Sequence, residues 1–327
     1  MPVRVLVTGG GGFIGSHLAE KLLHEGYAVR VLDNFATGRR SNLLQLAPDV
    51  ELIEGDVRSG EIVSKAVRGC EIVFHQAALP SVPRSVQDPL TSNEVNVVGT
   101  LHVLLASRDH GVRRVVCASS SSVYGPSSGV SPKREDQPSL PISPYATGKL
   151  AAEGYARSFH SVYDLETVAL RYFNVFGPRQ DPTSQYAAVI PRFITALLAD
   201  EPPVIFGDGE QSRDFTYVAN VVEANLRAVD AREVSGKVYN VACGERVSLN
   251  RLLAELTDLL GSEIEPVYAA PRPGEVRHSL AGLSRARGEL GYEPAIQLRA
   301  GLERTVEYFR RAELTDAAHQ PFAAYER

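Results

Sequence analysis

The apolar positions in the first half of the chain alternate between two spacings. Short runs rich in β-branched residues are typical of buried strands, and the segments between them repeat apolar residues every three or four positions, as amphipathic helices do. Strand and helix alternate through five cycles, which predicts an α/β fold with a doubly wound parallel sheet and a ligand at the carboxyl ends of its strands. The predicted strands are Val3–Val7, Tyr27–Leu32, Val50–Glu54, Glu71–His75, Arg114–Ala118 and Glu166–Arg171.

The pattern changes after Tyr172. Loops lengthen and strands shorten, but apolar periodicity persists in the helices, which indicates a folded lobe. We expect a first domain over residues 1–172, to which the chain returns near 214–243, and a smaller α/β substrate-binding lobe over 173–327. The elements predicted in this part are strands Val204–Phe206 and Val238–Val241 and helices near Leu249–Leu260 and Leu298–Ala312.

A glycine-rich turn links the first predicted strand to the first helix. Gly9, Gly12 and Gly15 form GxxGxxG directly after Val3–Val7. Glycines at this spacing let the chain turn sharply, bring backbone N–H groups against a pyrophosphate and pack the helix closely on the strand. A flexible turn is the alternative, but the strand–turn–helix setting is the one that a dinucleotide site requires. The motif therefore predicts a Rossmann-like, dinucleotide-binding first domain.

Carboxylates after the next two strands bear on the choice of dinucleotide. Asp33 follows the second strand, where it can accept hydrogen bonds from both ribose hydroxyls and would repel a 2′-phosphate, so NAD is favoured over NADP. Arg39 and Arg40 are the counter-argument, because a basic pair near this loop can bind that phosphate. Asp56 follows the third strand at the rim where the adenine is expected, although an aspartate there can also cap the next helix.

Composition narrows the possible partners. The 327 residues carry a net charge of -5 with both signs interspersed, so neither nucleic acid nor a membrane surface is an expected partner. The first residues already predict a strand and leave no room for a signal peptide, and no apolar run is long enough to cross a bilayer. Cys70, Cys117 and Cys243 fit no metal-ligand spacing, so we expect no metal, and buried free thiols in a reducing cytoplasm.

A Tyr-x-x-x-Lys pair and a serine run supply the candidate chemistry. Tyr145 and Lys149 share one face of a helix that Ser143 and Pro144 would begin. A free tyrosine titrates near ~10, and a phenolate at neutral pH requires roughly 4 kcal/mol of preferential stabilisation, which a lysine and a positive nicotinamide ring can provide. A hydroxyl from Ser119–Ser122 can share the substrate proton, or these serines satisfy backbone groups at a strand end.

With these motifs the chain resembles the extended short-chain dehydrogenase/reductases, and within them the NAD-dependent nucleotide-sugar epimerase/dehydratases. The resemblance covers nearly the whole chain. Besides GxxGxxG and Tyr-x-x-x-Lys it rests on Asp33-Asn34, Gly55-Asp56-Val57, His75-Gln76-Ala77-Ala78, Leu170-Arg171-Tyr172-Phe173-Asn174, Arg213-Asp214-Phe215-Thr216-Tyr217-Val218 and Arg272-Pro273-Gly274-Glu275.

The resemblance implies a role for each matching residue. Tyr145 would be the catalytic base, Ser120 the hydroxyl that shares the proton, and Lys149 a catalytic residue that also holds the nicotinamide ribose. The implied NAD-binding residues are Gly9, Gly12, Phe13, Ile14, Gly15, Asp33, Asn34, Asp56, Val57, Ala77, Ala78, Asn96, Tyr145, Lys149 and Phe173. The implied substrate-binding residues are Ser120, Ser121, Tyr145, Asn174, Ala188, Val189, Phe193, Arg213, Arg272, Glu275 and Ser279.

Three parts of the implied substrate site have distinct tasks. Asn174 and Phe173 would lie where sugar and nicotinamide meet. Arg213 and Arg272 resemble a cationic clamp on the substrate diphosphate, which suits guanidinium geometry. The segment Tyr186–Phe193 resembles the one whose backbone contacts the uracil and pyrophosphate of a UDP-sugar.

The residues after Ser120 bear on the reaction. Related 4,6-dehydratases carry an Asp-Glu pair after the active-site Ser or Thr, and related decarboxylases carry a Glu, whereas this chain has Ser121-Ser122. The resemblance therefore implies reversible C4 epimerisation of UDP-hexoses through a transient 4-keto sugar and bound NAD. Ser279 stands where epimerases restricted to plain hexoses carry a bulky aromatic, so UDP-GlcNAc and UDP-GalNAc are expected substrates beside UDP-glucose and UDP-galactose.

The resemblance leaves two other functions open and also bears on assembly. UDP-glucuronate 4-epimerases can carry the same serine cluster, but they need a cation or hydroxyls for the C6 carboxylate. Non-catalytic NAD-binding regulators share this fold but typically lose the Tyr/Lys pair. The helices around Ser92–His110 and Tyr145–His160 resemble the pair through which family members form a dimeric four-helix bundle, so we expect a homodimer.

Overall fold

The computed structural model of the protein describes residues 2–44, 46, 48–126, 132–182, 188–271 and 276–319. Its strands, in chain order, are β1 (Arg4–Thr8), β2 (Ala28–Asp33), β3 (Val50–Glu54), β4 (Ile72–His75), β5 (Arg114–Ser120), β6 (Glu166–Tyr172), β7 (Val175–Phe176), β8 (Val204–Phe206), β9 (Ser212–Arg213), β10 (Thr216–Tyr217), β11 (Lys237–Val241), β12 (Val247–Ser248) and β13 (Val267–Ala269). Its helices are α1 (Phe13–His24), α2 (Gly60–Val67), α3 (Val82–Gln87), α4 (Pro89–Asn93), α5 (Gly99–Asp109), α6 (Pro144–Tyr163), α7 (Val189–Leu198), α8 (Val218–Asp230), α9 (Leu249–Leu260) and α10 (Leu298–His319).

Seven parallel strands form the central sheet in the order β11-β6-β5-β4-β1-β2-β3. The strand order reverses between β1 and β4, and this is the place where loops from two neighbouring strands turn to opposite faces and leave a crevice. The doubly wound parallel sheet predicted from the apolar pattern is therefore confirmed. A π-helical segment, Glu94–Val98, joins α4 to α5, so this helical stretch begins three residues before the predicted Ser92.

Apolar side chains cover both faces of the sheet, because its inner strands are buried on both sides. One face packs against α1 and α8 in a core that includes Leu18, Leu22 and Val221. The other face packs against α2, α5 and α6, with a core that includes Val63 and Val103. The sheet is thus the middle layer of three, and its strand ends stay open to the solvent at the reversal point.

After β6 the chain leaves the sheet and returns to it. Helix α8 packs against α1, and β11 pairs with β6 in register from Lys237–Val168 to Val241–Tyr172. The buried Arg114 guanidinium donates hydrogen bonds to the carbonyls of Ala228, Val229 and Ala231, at 2.7, 2.8 and 2.9 Å. A cation at the carbonyl end of a helix is a favourable arrangement, so β5 holds the returning helix in place.

A smaller lobe rests on the helices α7, α9 and α10. Its core contains Phe193, Leu252 and Leu302, which are at most 2% exposed. The remaining strands pair two by two, as β10 with β7, β12 with β9 and β13 with β8. Within the described residues, no helix is long and apolar enough to cross a membrane.

Candidate functional site

A cleft of about 800 Å³ opens at the carboxyl ends of β1 and β4. It is where the strand order reverses, as expected for the ligand site of an open parallel sheet. The structure brings most of the predicted cofactor residues to its wall. Those that line it are Gly9, Gly12, Phe13, Ile14, Gly15, Asp33, Asn34, Asp56, Val57, Ala77, Ala78, Tyr145 and Lys149.

The glycine turn forms one end of the cleft and is too closely packed for side chains. Gly9 has φ +71°, and a Cβ there would lie 2.7 Å from the backbone nitrogen of Ala77. A Cβ on Gly15 would lie 2.1 Å from the carbonyl oxygen of Gly9. Helix α1 starts at Phe13 with no side-chain cap, so its first N–H groups remain available to an anion. This cradle fits the pyrophosphate of a dinucleotide.

Asp33 is prepared for a ribose by the backbone around it. Its Oδ2 accepts the Gly11 N–H at 2.8 Å, and its Oδ1 accepts the Phe35 N–H at 2.7 Å. Burial raises the pKa of the carboxyl, and these backbone hydrogen bonds oppose that rise. Each carboxylate oxygen keeps a second lone pair, so both can still accept a ribose hydroxyl. The partners of Asp33 within the glycine turn were not predicted from the sequence.

The basic pair that could have bound a 2′-phosphate is paired with carboxylates. Arg39 donates to Asp181 at 2.6 Å, and Arg40 donates to Glu54 at 2.5 Å while its guanidinium lies 4.4 Å from the centre of the Phe35 ring. Each guanidinium therefore already has an anionic partner. With Asp33 at the ribose position, this arrangement fits NAD better than NADP.

Asp56 lies at the rim of the cleft, and it does not cap the next helix. Ser59 is the N-cap of α2, and its side chain accepts the Ile62 N–H. The Asp56 carboxylate pairs with Arg58 at 2.8 Å and accepts a hydrogen bond from Asn34, also at 2.8 Å. These contacts lower the pKa of Asp56 to about 2, chiefly through Arg58. A stable negative charge therefore stays at this rim.

Two predicted cofactor residues lie behind the wall of the cleft. Asn96 is 2% exposed, accepts the Leu79 N–H at 2.8 Å and donates to the Leu79 carbonyl at 3.1 Å. Its amide thus anchors the loop that lines the cleft. Phe173 is 0% exposed and packs against Tyr124 in the core beneath the sheet end. Neither side chain lines the cleft, so both support its wall from behind, and their predicted contact with NAD stays a prediction.

The serine run and the Tyr/Lys pair meet at the end of β5. Helix α6 begins with Pro144, and Ser143 accepts the Ala146 N–H as its N-cap, as the sequence indicated. Ser120 is the serine of this run that lowers the pKa of the Tyr145 phenol, and its own oxygen accepts a hydrogen bond from the Ser122 hydroxyl at 2.8 Å. Among the four serines, Ser120 is therefore the one assigned to the phenol.

In the protein alone, burial has the largest influence on the pKa values of Tyr145 and Lys149. Burial raises the pKa of Tyr145, and the hydrogen bond with Ser120 lowers it in part. Burial lowers the pKa of Lys149 to about 8, against the raising influence of Cys117 and Glu153, and its ammonium donates to the Ala118 carbonyl at 2.9 Å. The protein alone thus provides a placed phenol and a buried cation beside it. Further stabilisation of a phenolate has to come with the bound cofactor.

A buried ion pair behind Lys149 was not predicted. Glu153 and Arg171 are each 5% exposed and form two parallel hydrogen bonds, at 2.8 and 2.7 Å. The Ser119 hydroxyl donates to the same carboxylate at 2.5 Å. The spacing of Tyr145, Lys149 and Glu153 by four residues could have indicated that all three share one face of α6.

A second, narrower cavity of about 240 Å³ adjoins the cleft on the side of the small lobe. Ala188 lines both, so the two adjoin at this residue. The predicted substrate residues that line this cavity are Asn174, Ala188, Val189, Phe193 and Arg213. Ser279 is 7% exposed and pairs through its N–H with the Ser212 carbonyl, next to Arg213. The predicted residues Arg272, Glu275 and Tyr186 lie outside the described residues.

Carboxylates are scarce where proton transfer is expected. Of the residues described along the cleft wall, the acidic ones are Asp33, Asp56 and Asp181, at the glycine-turn end and its rim. Glu153 is held by Arg171 and Ser119 on the far side of Lys149. In the described part of the chain, no group of three His, Cys, Asp or Glu side chains could hold a metal ion.

The chain is similar to known proteins in both sequence and fold. Residues 5–242 match the model of the NAD dependent epimerase/dehydratase family. A UDP-glucose 4-epimerase of Mycolicibacterium smegmatis is 40% identical over 312 residues, covering 94% of this chain and 99% of the relative. A solved UDP-N-acetylglucosamine 4-epimerase from Methanobrevibacter ruminantium, in complex with UDP-N-acetylmuramic acid, is 41% identical with a TM-score of 0.91, covering 95% of this chain and 100% of that one. A UDP-glucuronic acid 4-epimerase from Bacillus cereus, in complex with UDP-glucuronic acid and NAD, is 32% identical with a TM-score of 0.88 and the same two coverages.

The packing of the glycine turn yields a test of the cofactor site. In Gly15→Ala the new Cβ would overlap the Gly9 carbonyl, so the turn must open. We expect the affinity for NAD to fall at least about tenfold, which corresponds to ~1.4 kcal/mol. Isothermal titration with NAD measures this. Gly154→Ala, on α6 where a Cβ meets nothing within 4 Å, is the matched control and should bind NAD as the wild type does. Equal affinities for all three proteins would contradict the assignment.

Proposed function

The chain belongs to the NAD dependent epimerase/dehydratase family, and we propose that it is an NAD-dependent UDP-sugar 4-epimerase. The observation that carries the proposal is the composition of the proton-transfer site. Ser120 lowers the pKa of the Tyr145 phenol, and Ser121 and Ser122 stand where dehydratases and decarboxylases of the family have acids. Without such an acid, nothing in the described site promotes loss of water or carbon dioxide from the sugar.

NAD is the cofactor of the family, and the cleft fits it. The glycine turn and the start of α1 would hold the pyrophosphate, Asp33 the adenosine ribose, and Lys149 the nicotinamide ribose. When bound, NAD supplies a reversible acceptor for the hydride of the sugar C4 and a positive ring beside the phenol.

The residues of the chain manage the proton and the position of the sugar. Tyr145 takes the proton from the C4 hydroxyl and later returns it, while Ser120 holds the phenol and shares that proton. The cation of Lys149 favours the phenolate. The keto sugar must rotate in the site between removal and return of the C4 hydride, so that its opposite face is presented. Arg213 and the wall around Phe193 hold the UDP part in place meanwhile. Return of hydride to the other face inverts C4.

Among UDP-sugars, we propose UDP-glucose and UDP-galactose together with their N-acetylated forms. Ser279 follows His278, which pairs with Ser212 of β9, and its N–H donates to the Ser212 carbonyl, one residue before Arg213 in the lining of the cavity. A small residue there leaves volume for a 2-acetamido group. The similarity to a UDP-N-acetylglucosamine 4-epimerase at 41% identity supports the same choice.

The central test uses the purified protein with each UDP-sugar separately. We expect each of the four hexose nucleotides to give its C4 epimer, with products separated by chromatography. Tyr145→Phe should lower kcat by about 10²–10⁴, because the proton acceptor is lost, while NAD still binds. No epimer from any UDP-sugar, even with NAD supplied, would refute the proposal.

UDP-glucuronate 4-epimerisation is the second candidate. Ser120, Ser121 and Ser122 follow one another at the end of β5, with the Ser122 hydroxyl donating to Ser120, and serine hydroxyls can bind a C6 carboxylate. The Bacillus cereus similarity points the same way, at 32% identity. In the assay above, a product from UDP-glucuronate alone would favour this candidate over the first. A non-catalytic role is disfavoured because Ser120, Tyr145 and Lys149 are all present at one site.

A substitution at Ser279 tests the range of sugars. Ser279→Tyr fills the volume assigned to the acetamido group, so turnover of UDP-GalNAc should fall at least about tenfold relative to UDP-galactose. Both rates are measured on the same preparation, so any loss of folded protein cancels in their ratio. An unchanged ratio would exclude Ser279 as the residue that sets sugar size.

We also propose a homodimer. Leu105 on α5 and Tyr155 on α6 are large apolar side chains that are 37% and 39% exposed, on the helix pair through which relatives of this fold associate. Light scattering should give about twice the 35.5 kDa of one chain. Glutamate at both positions should give a monomer, whereas Leu44→Glu, at an exposed site off these helices, should not. A monomeric wild-type protein would contradict the proposal.

A further inference from the structure

Three consecutive residues at the end of β5 are bonded to three residues of α6. The Ala118 carbonyl accepts from Lys149 at 2.9 Å, the Ser119 hydroxyl donates to Glu153 at 2.5 Å, and Ser120 lies near enough to Tyr145 to lower the pKa of its phenol. Two of these contacts belong to the proton-transfer site. The middle one has no role in the proposed chemistry, although it lies between the other two along the strand.

Glu153 is the centre of a group of buried polar side chains, whose Arg171 also donates to the Ser139 hydroxyl at 3.2 Å. It receives two hydrogen bonds from Arg171 and one from Ser119, and the side chains of Glu153 and Arg171 are 5% exposed. Ser119 and Arg171 are also direct neighbours across the β5–β6 register. One carboxylate from α6 therefore joins both strands, and we call this group the Ser119–Glu153–Arg171 lock.

Burying the ion pair of this lock costs desolvation free energy that apolar side chains in the same place would not cost. Burying an ion pair removes two charges from water, and apolar side chains of the same shape often stabilise a fold as well or better. The Arg171 Nη1 also has no hydrogen-bond partner among the described residues, while the guanidinium lies 4.5 Å from the centre of the Tyr124 ring. A buried ion pair of this kind is weak evidence that the fold is stabilised. Its directional hydrogen bonds do, however, set the positions of β5, β6 and α6 relative to one another.

We propose that Glu153 is a positioning residue, which through Ser119 and Arg171 holds the end of β5 against α6 so that Ser120 meets Tyr145 and Ala118 meets Lys149. The inference rests on the proposed proton-transfer site. Since Ser119 is bonded to the carboxylate, the backbone on either side of it cannot slide along the helix. A shift of about 1 Å in a catalytic contact can cost on the order of 10²-fold in rate, so this restraint matters for turnover.

The test uses Ser119→Ala, which removes one hydrogen bond and leaves the ion pair. In the NAD-loaded enzyme we expect kcat for the UDP-sugar to fall about tenfold or more, with KM and the unfolding temperature nearly unchanged. Ser158→Ala is the matched control, since that hydroxyl bonds only to the Gly154 carbonyl on the exposed side of the same helix. A purely structural lock would instead lower the unfolding temperature and leave kcat per folded molecule unchanged, which would overturn the proposal.

Glu153→Gln alone leaves a buried arginine without its anion and can prevent folding, so the second variant combines Glu153→Gln with Arg171→Gln. It removes both buried charges together and keeps polar groups at both positions, and its kcat should fall at least as far as that of Ser119→Ala. A double variant with wild-type kcat would overturn the proposal.

A spectroscopic readout separates this inference from the proposed function. The phenolate absorbance of Tyr145 is the difference between each NAD-loaded protein and its Tyr145→Phe counterpart, measured over pH. Losing the bond with Ser120 should lower the phenolate fraction at a fixed pH about threefold in Ser119→Ala. If the wild type turns over no UDP-sugar, the proposed function fails, and this titration still decides the lock: an unchanged phenolate fraction overturns it.

Discussion

The site depends on one constraint, which is that the end of β5 must keep its position along α6. The rise per residue differs between the two elements: it is about 3.3 Å in a strand, whereas four residues of a helix span about 6 Å. Successive strand residues therefore cannot each face a successive helix residue. Long side chains of Tyr145, Lys149 and Glu153 span the difference and bond to neighbouring atoms of the strand. Because the same strand end borders the cofactor cleft, this alignment also places the phenol at the ligand.

The buried charged side chains along and behind the cleft have different hydrogen-bond partners. Asp33 stays beside the glycine turn because backbone N–H groups bond to both of its oxygens. Lys149 has a carbonyl partner and a pKa lowered to about 8, so its proton is held less firmly than that of a surface lysine. Glu153 is fully paired and contributes no acid to the sugar. The site is therefore suited to moving one proton at the phenol, and the absence of a nearby free acid in its described part separates epimerisation from elimination.

Spacing within short stretches of the sequence predicted the features that neighbouring residues determine. The strands, the glycine turn, the start of α6 at Ser143 and the face shared by Tyr145 and Lys149 follow from spacing alone. The family resemblance added the substrate wall around Ala188 and Phe193, which the structure brings to one cavity.

The sequence did not predict side-chain direction across long sequence distances. The resemblance assigned Phe173 and Asn96 to the cofactor, and in the structure one packs in the core and the other bonds to Leu79. The pairing of Glu153 with Arg171 joins a helix to a strand that follows it, and periodicity carries no information on such a contact. Burial also raises the pKa of Tyr145, an effect that a motif does not reveal.

The central claim is that C4 is inverted by hydride removal and return within one closed site. The most direct measurement gives the NAD-loaded protein UDP-galactose that carries deuterium at C4, in ordinary water and without added cofactor, and determines the isotope at C4 of the product by mass spectrometry. The account predicts UDP-glucose that retains the deuterium, since the hydride does not exchange with water. UDP-glucose with hydrogen from the solvent at C4, or no UDP-glucose, would contradict it.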